Sequence, residues 1–274
     1  NVIGSWGDEK TVPDSIHGCF VDKDKNVFVA GNSDAVVQKY SPDGKLLLQI
    51  GTRGKFDSVD GTRRGKGKNT ATDQLHMPSA IVTDPANGEI FISDGYGNRR
   101  VIVFDKDGKF LRQWGRQATD EETQKGVPGV FSEVVHCIAM SNAGLLYVCD
   151  RQGNRVQVFK KDGTYIQEFI YDKETLGAGS VGNVTLWPDR TQSIMAINDP
   201  GNFQIRFARR SDGAVLGVMG HYGTFAGQLH LNHQVEFDSE GNLYTSEDSR
   251  VQKFVPRKTA DQSHVMAQEL VLKK

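Results

Sequence analysis

Three of the seven histidines, His17, His136 and His233, each stand ten residues ahead of an apolar run, opening at Val27, Leu146 and Leu243. Ser79 and Asn183 hold the corresponding place in two further segments. Neutral imidazole is the commonest metal ligand. Three of them with an open fourth position make a catalytic zinc site, at metal–nitrogen distances of about 2.0–2.1 Å. A single histidine at a strand start is ordinarily a hydrogen-bonding group. Three at one repeated position, alternating with Ser and Asn, read better as one ligand set. His76, His221, His230 and His264 fall between these segments or in the tail, and are expected to face solvent. Tyr96, in SDGYGNRR, is a candidate general base, because a nearby cation favours phenolate. Arg151, in CDRQGNR, is a candidate anion binder. Their competing roles are an aromatic lid and a salt bridge with Asp150; Arg99, Arg100 and Arg155 are expected to form structural pairs.

The elements that must position these groups come from a repeat. Units run over residues 17–51, 79–115, 136–169, 183–220 and 233–274, each with a core of about 35 residues, the range of solenoids and propellers. Within them, short apolar or alternating runs (VFVAG, EIFISD, LLYVCD; VVQKY, VIVFD, VQVFK) are bounded by turn formers, which is β texture. SPDG, DKDG, KKDG and RSDG each lie between two such runs, and Asp-Gly there predicts a tight hairpin with positive φ at both central residues. Every unit therefore reads as four antiparallel strands, the blade of a propeller. The opening NVIGSWG matches the ends of the outer strands, so residues 1–7 are expected to be the outer strand of an incomplete first blade. The alternative is that the C-terminal segment supplies a closing strand. The expected fold is all-β: a single domain, 1–274, forming a six-bladed β-propeller. The histidines would then occupy alternate blades and converge from their innermost strands, with Tyr96 and Arg151 on loops at the same rim.

This pattern resembles the NHL-repeat family of six-bladed propellers over nearly the whole chain. The three histidines, SDGY-x-N-x-R and DR-x-x-x-R together are similar to the peptidyl-α-hydroxyglycine α-amidating lyases. That resemblance implies a zinc-dependent enzyme cleaving a carbinolamide to an amide and glyoxylate. His17, His136 and His233 would hold zinc, Tyr96 would take the hydroxyl proton, and Arg151 would bind the substrate carboxylate. It also implies a further arginine, upstream of residue 1. Gln234 replaces an aspartate that helps hold calcium in the lyases, and Leu231 replaces a methionine, which weighs against calcium here. The competing function is a non-catalytic NHL scaffold binding protein or carbohydrate on one face. A metal-dependent hydrolase is a third, disfavoured because such rings prefer carboxylate and Asn ligands for calcium.

Composition narrows the partners. Thirty-three Lys and Arg against 34 Asp and Glu give a net charge of −1, without the basic footprint of a nucleic-acid binder. No apolar run approaches the roughly 18–20 residues of a membrane span. A peptide or small-molecule substrate is expected, and a protein partner stays possible. Cys19, Cys137 and Cys149 are too few for a disulfide framework, and Cys137 reads as small core filler. The family resemblance and the non-Met start suggest a secreted or periplasmic protein. Phe28, Phe91, Phe104 and Phe159 recur at repeat positions and mark core packing. The connection from Thr52 to Pro78 carries Arg53, Lys55, Arg63, Arg64, Lys66 and Lys68; it reads as a solvated loop or as a cationic cap on the site. The connection over 116–134 is also long.

Overall fold

A computed structural model describes residues 4–256 and 270–272. The chain is an all-β propeller with four-stranded antiparallel blades. The first sheet runs β1 (Ile16–Val21), β2 (Val27–Gly31), β3 (Val36–Tyr40), β4 (Leu46–Ile50), and the second β5 (Ala80–Thr83), β6 (Ile90–Asp94), β7 (Arg100–Phe104), β8 (Phe110–Trp114). The third contains β9 (Val135–Met140), β10 (Leu146–Asp150), β11 (Arg155–Phe159) and β12 (Tyr165–Ile170). The fourth is β13 (Asn183–Leu186), β14 (Ile194–Asp199), β15 (Gln204–Arg209), β16 (Val215–Met219). The fifth is β17 (Gln234–Phe237), β18 (Leu243–Ser246), β19 (Val251–Pro256), β20 (Leu270–Leu272). In every sheet the strands pair in chain order.

Five sheets form among the described residues, against the six blades expected. Residues 4–7 make no strand; residues 1–3 lie outside the described residues. Trp6 instead lays its ring against Tyr40, with centroids 4.8 Å apart. The fifth sheet has its own outer strand, because β20 pairs with β19. The Asp-Gly hairpins also differ from expectation. Gly44, Gly108 and Gly163 have φ of 87°, 85° and 90°, while the aspartates before them do not enter the positive region. Each glycine N–H donates to the carbonyl three residues back (Ser41, Asp105, Lys160) at 2.9–3.1 Å. A bulge follows on the preceding strand. This is a type I turn closed by a left-handed glycine, not the doubly positive turn. Pro42 shows why: its ring fixes a negative φ at a central turn position.

By contact the chain divides into two compact units, residues 1–140 and 141–274. In the first, Phe28, Ala30, Val37 and Ile50 pack against Ile81, Ile90, Ile92, Ile102 and Phe104, with Leu75 from the connection between the sheets. In the second, Ile205 and Phe207 pack against Val235, Phe237, Leu243 and Phe254. Phe28, Phe91, Phe104 and Phe159 are all buried, as the repeat required. Burying each such side chain is worth about 1.5–3 kcal/mol. Cys137 and Cys149 are disulfide-bonded, so Cys137 is no mere filler; Cys19 is free and exposed. The 116–134 connection holds a short helix, α1 (Asp120–Lys125), started by a capping box of Thr119 and Glu122. The side-chain bond from Arg116 and the Thr119 N–H hold the Glu122 carboxyl at about 2. Among the described residues, no helix is long and apolar enough to cross a membrane.

The 52–78 connection is anchored, not loose, and His76 within it is buried where solvent exposure was expected. The anchor is ionic. Arg100, Asp94 and Asp57 have fully buried side chains, with Arg100 Nη2 3.0 Å from Asp94 and 3.4 Å from Asp57. Arg100 also donates to the carbonyls of Ala71 and Gln74 at 2.8 Å each. Asp57 accepts from the N–H groups of Thr70 and Ala71 at 2.9 and 3.2 Å. Arg100→Met would strand two buried carboxylates. It is expected to cost about 3–5 kcal/mol, read as a lowered midpoint in urea denaturation.

Candidate active site

His17 owes its direction to a defect in its strand. The β1–β2 register shifts between Ile16 and Gly18, so His17 is the extra residue of a bulge, a device that re-aims a side chain. Its Nδ1 lies 2.8 Å from the Ser79 carbonyl. A carbonyl only accepts, so Nδ1 carries the proton and Nε2 presents a lone pair. The approach needs a glycine: a Cβ on Gly18 would stand 2.4 Å from that same carbonyl oxygen.

Tyr96 sits in the loop between β6 and β7, and His136 near the start of β9. The Tyr96 hydroxyl lies 3.0 Å from His17 Nε2 and 2.9 Å from His136 Nε2. The two imidazoles meet edge to face, with centroids 4.9 Å apart at 81°. Since His17 Nε2 presents a lone pair, the phenol donates to it, with His136 Nε2 on the other side of the same hydroxyl. The Tyr96 loop is built to come this close. Gly95 lies against β9, where a Cβ would fall 1.9 Å from the Val135 carbonyl oxygen. The Tyr96 N–H donates to the Met77 carbonyl at 3.2 Å. Arg99 braces the loop by donating to the carbonyls of Gly95, Tyr96 and Asn98 at 2.8–3.2 Å. Arg100 and Arg155 do pair as expected, Arg155 Nε meeting Asp150 at 2.9 Å.

The remaining two candidates belong to the second unit. His233 is half-buried just before β17; its N–H donates to the Ser246 carbonyl at 2.8 Å and its own carbonyl accepts from Asn198 at 3.0 Å. Arg151 is half-buried in the loop between β10 and β11, its guanidinium donating at 3.0 Å to the Gln152 side-chain oxygen. His17, His136 and His233 each offer one ring nitrogen of the kind that binds a metal. The fixed tautomer of His17 is what such a ligand requires, since a carbonyl behind the ring orients it and raises its basicity.

Ser79 is the residue that sequence reasoning passed over. Its carbonyl sets the His17 tautomer, and its hydroxyl reaches the Val135 carbonyl at 2.6 Å, one residue from His136. The signal was present, because Ser79 occupies the histidine's own place in its repeat.

No protein-family model matches the chain. It is 30% identical over 262 residues to NHL repeat-containing protein 3 of Mus musculus, covering 89% of this chain and 67% of that protein. It is 25% identical over 261 residues to peptidyl-alpha-hydroxyglycine alpha-amidating lyase 1 of Drosophila melanogaster, covering 89% of this chain and 45% of that one. With the peptidyl-glycine alpha-amidating monooxygenase of Mus musculus it shares 32% identity over 160 residues, 56% of this chain and only 14% of the relative. Among solved structures, a streptogramin B lyase superposes with a TM-score of 0.59 at 13% identity, over 96% of this chain and 70% of that one.

Gly18→Ala is expected to push β1 away from Ser79 and to cost about 1–3 kcal/mol through overpacking. Gly4→Ala, with open space around its Cβ, is the neutral control in the same denaturation series.

Proposed function

Since the chain belongs to the NHL-repeat family, we propose that it is a zinc-dependent lyase cleaving a carbinolamide, such as peptidyl-α-hydroxyglycine, to an amide and glyoxylate. The observation that carries this reading is the Tyr96 hydroxyl held 3.0 and 2.9 Å from two imidazole Nε2 atoms. Similarity to the Drosophila lyase over 89% of this chain supports it. His17, His136 and His233 are the proposed ligands, the last on the strength of its repeat position. Bound there, zinc would act as a Lewis acid toward the substrate hydroxyl.

The protein's own groups account for the rest. Tyr96 takes the proton from the substrate hydroxyl as its oxygen becomes the aldehyde of glyoxylate. The carbon–nitrogen bond breaks, its electron pair goes to nitrogen, and a proton returns to make the amide. Arg151 pairs with the carboxylate that becomes that of glyoxylate, and so fixes which bond faces Tyr96. Atoms balance without water or an oxidant. A secreted or periplasmic location is part of this proposal, supported by the Cys137 and Cys149 disulfide, since such bonds persist in oxidising compartments.

A non-catalytic scaffold is the second reading, favoured by the match to NHL repeat-containing protein 3 over 67% of that protein. Metal analysis separates them, because a scaffold purifies without stoichiometric zinc. The enzyme is expected to release glyoxylate from an N-acyl-α-hydroxyglycine. His136→Ala should abolish both zinc retention and turnover, whereas Tyr96→Phe should keep zinc and lower kcat by about 10²–10⁴. Unchanged turnover in His136→Ala would refute the mechanism.

A further inference from the structure

The connection before the second sheet carries an unexplained concentration of charge. Residues 61–69 read GTRRGKGKN, with four cations and no acid in a chain whose net charge is −1. Arg63, Arg64, Lys66 and Lys68 are all exposed. Lys68 lies 3.9 Å from Asp57; the side chains of the other three make no ion pair among the described residues. Asp60, the nearest acid in sequence, is already engaged, its Oδ1 accepting from the N–H and hydroxyl of Thr62 at 2.9 Å each.

This segment is a fixed structure, placed beside Tyr96. Ser58 and Gly67 form an antiparallel bridge, closed by Val59 N–H to the Lys66 carbonyl at 2.9 Å. Its base is held by the buried Asp57, which also accepts from Asn98 Nδ2 at 3.1 Å. Its tip is held by His76, whose Nε2 lies 3.0 Å from the Arg63 carbonyl. Gly67 lies against the Tyr96 loop so closely that a Cβ would meet the Gly97 carbonyl oxygen at 2.2 Å. Asn69 adds a last tie, accepting from Arg99 N–H at 2.7 Å. Four exposed cations are thus fixed on a hairpin in contact with the loop that bears the proposed base.

We propose that this hairpin is a substrate-selecting surface that binds acidic residues of a peptide whose C-terminal end reacts at Tyr96. The identity of the reacting end rests on the lyase reading; the preference for acidic peptides does not. Fixed cations of one sign raise the local concentration of an anionic ligand, and the effect falls with ionic strength.

Two peptides test it: an N-acetyl peptide with Asp-Glu ahead of a terminal α-hydroxyglycine, and its Asn-Gln counterpart. Glycine-ended versions of both are titrated by calorimetry as unreactive ligands. In low salt the acidic peptide is expected to show a KM and a Kd roughly tenfold lower than the neutral one, with kcat equal. The double substitution Arg64→Glu, Lys66→Glu should erase that preference. Equal binding of the two glycine-ended peptides, or a preference that survives the double substitution, would overturn the proposal. Acidic preference without glyoxylate release would uphold this surface and refute the lyase; turnover without charge preference would do the reverse.

Discussion

The hydrogen bond from His17 Nδ1 to the Ser79 carbonyl is the contact on which the site depends. It joins the innermost strands of two sheets, fixes a tautomer and so decides which nitrogen faces Tyr96. In net terms one such bond is worth only about 1 kcal/mol. Its importance is geometric, because the alternative tautomer would point a proton at the phenol and leave the buried carbonyl without its donor. Gly18 makes the bond possible by leaving room at 2.4 Å for the carbonyl oxygen. The β1 bulge then turns the ring to use that room.

The same logic extends outward through the Tyr96 loop. A phenol between two imidazoles must be placed to within a few tenths of an ångström, and a loop with free backbone groups would not hold it. Gly95 brings the loop against Val135, Arg99 takes up its carbonyls, and the Met77 carbonyl takes its N–H. Behind these, Asp94 accepts from the His76 N–H at 2.7 Å and from Asn98 Nδ2 at 2.8 Å. Asp94 and Asp57 are neutralised jointly by Arg100. The buried charge therefore connects the 52–78 connection to the Tyr96 loop, and a mobile connection there would leave carboxylates uncompensated in the core.

The repeat made much of this legible. Strand order, blade size, the core phenylalanines and the pairing of Arg100 and Arg155 all follow from patterns of two kinds, alternation and recurrence. The meeting of His17, Tyr96 and His136 was readable too, because equivalent strand starts and loop positions come to one face of adjoining blades. What the sequence concealed depends on single atoms. The bulge at His17 adds no recognisable residue, and the glycines beside His17 and Tyr96 serve close approach without a positive φ. His76 looked like a polar loop residue, yet its ring nitrogen meets the Arg63 carbonyl and its N–H the Asp94 carboxylate, pairings that no spacing rule reveals. The disulfide was missed because an odd count of three cysteines argues about frameworks, not about one bond. Of the motif NVIGSWG, residues 4–7 make no strand, and Trp6 packs on the Tyr40 ring, since a short apolar run does not specify a pairing partner.

The positions that are not histidine explain why the repeat alternates. Ser79 stands where His17 and His136 stand in their own units, and its hydroxyl reaches the Val135 carbonyl of the next sheet at 2.6 Å. Asn183 holds the same place in the fourth sheet, and its side-chain oxygen accepts from the Val235 N–H of the fifth at 3.1 Å. Each therefore spends its polar group on the neighbouring innermost strand, close to the next histidine of the repeat position. A histidine at those places would compete for the same space, and a small polar group is short enough to bond backbone without entering it. One repeat position thus divides its labour, an imidazole in one blade and in the next a tie that sets where the following imidazole begins.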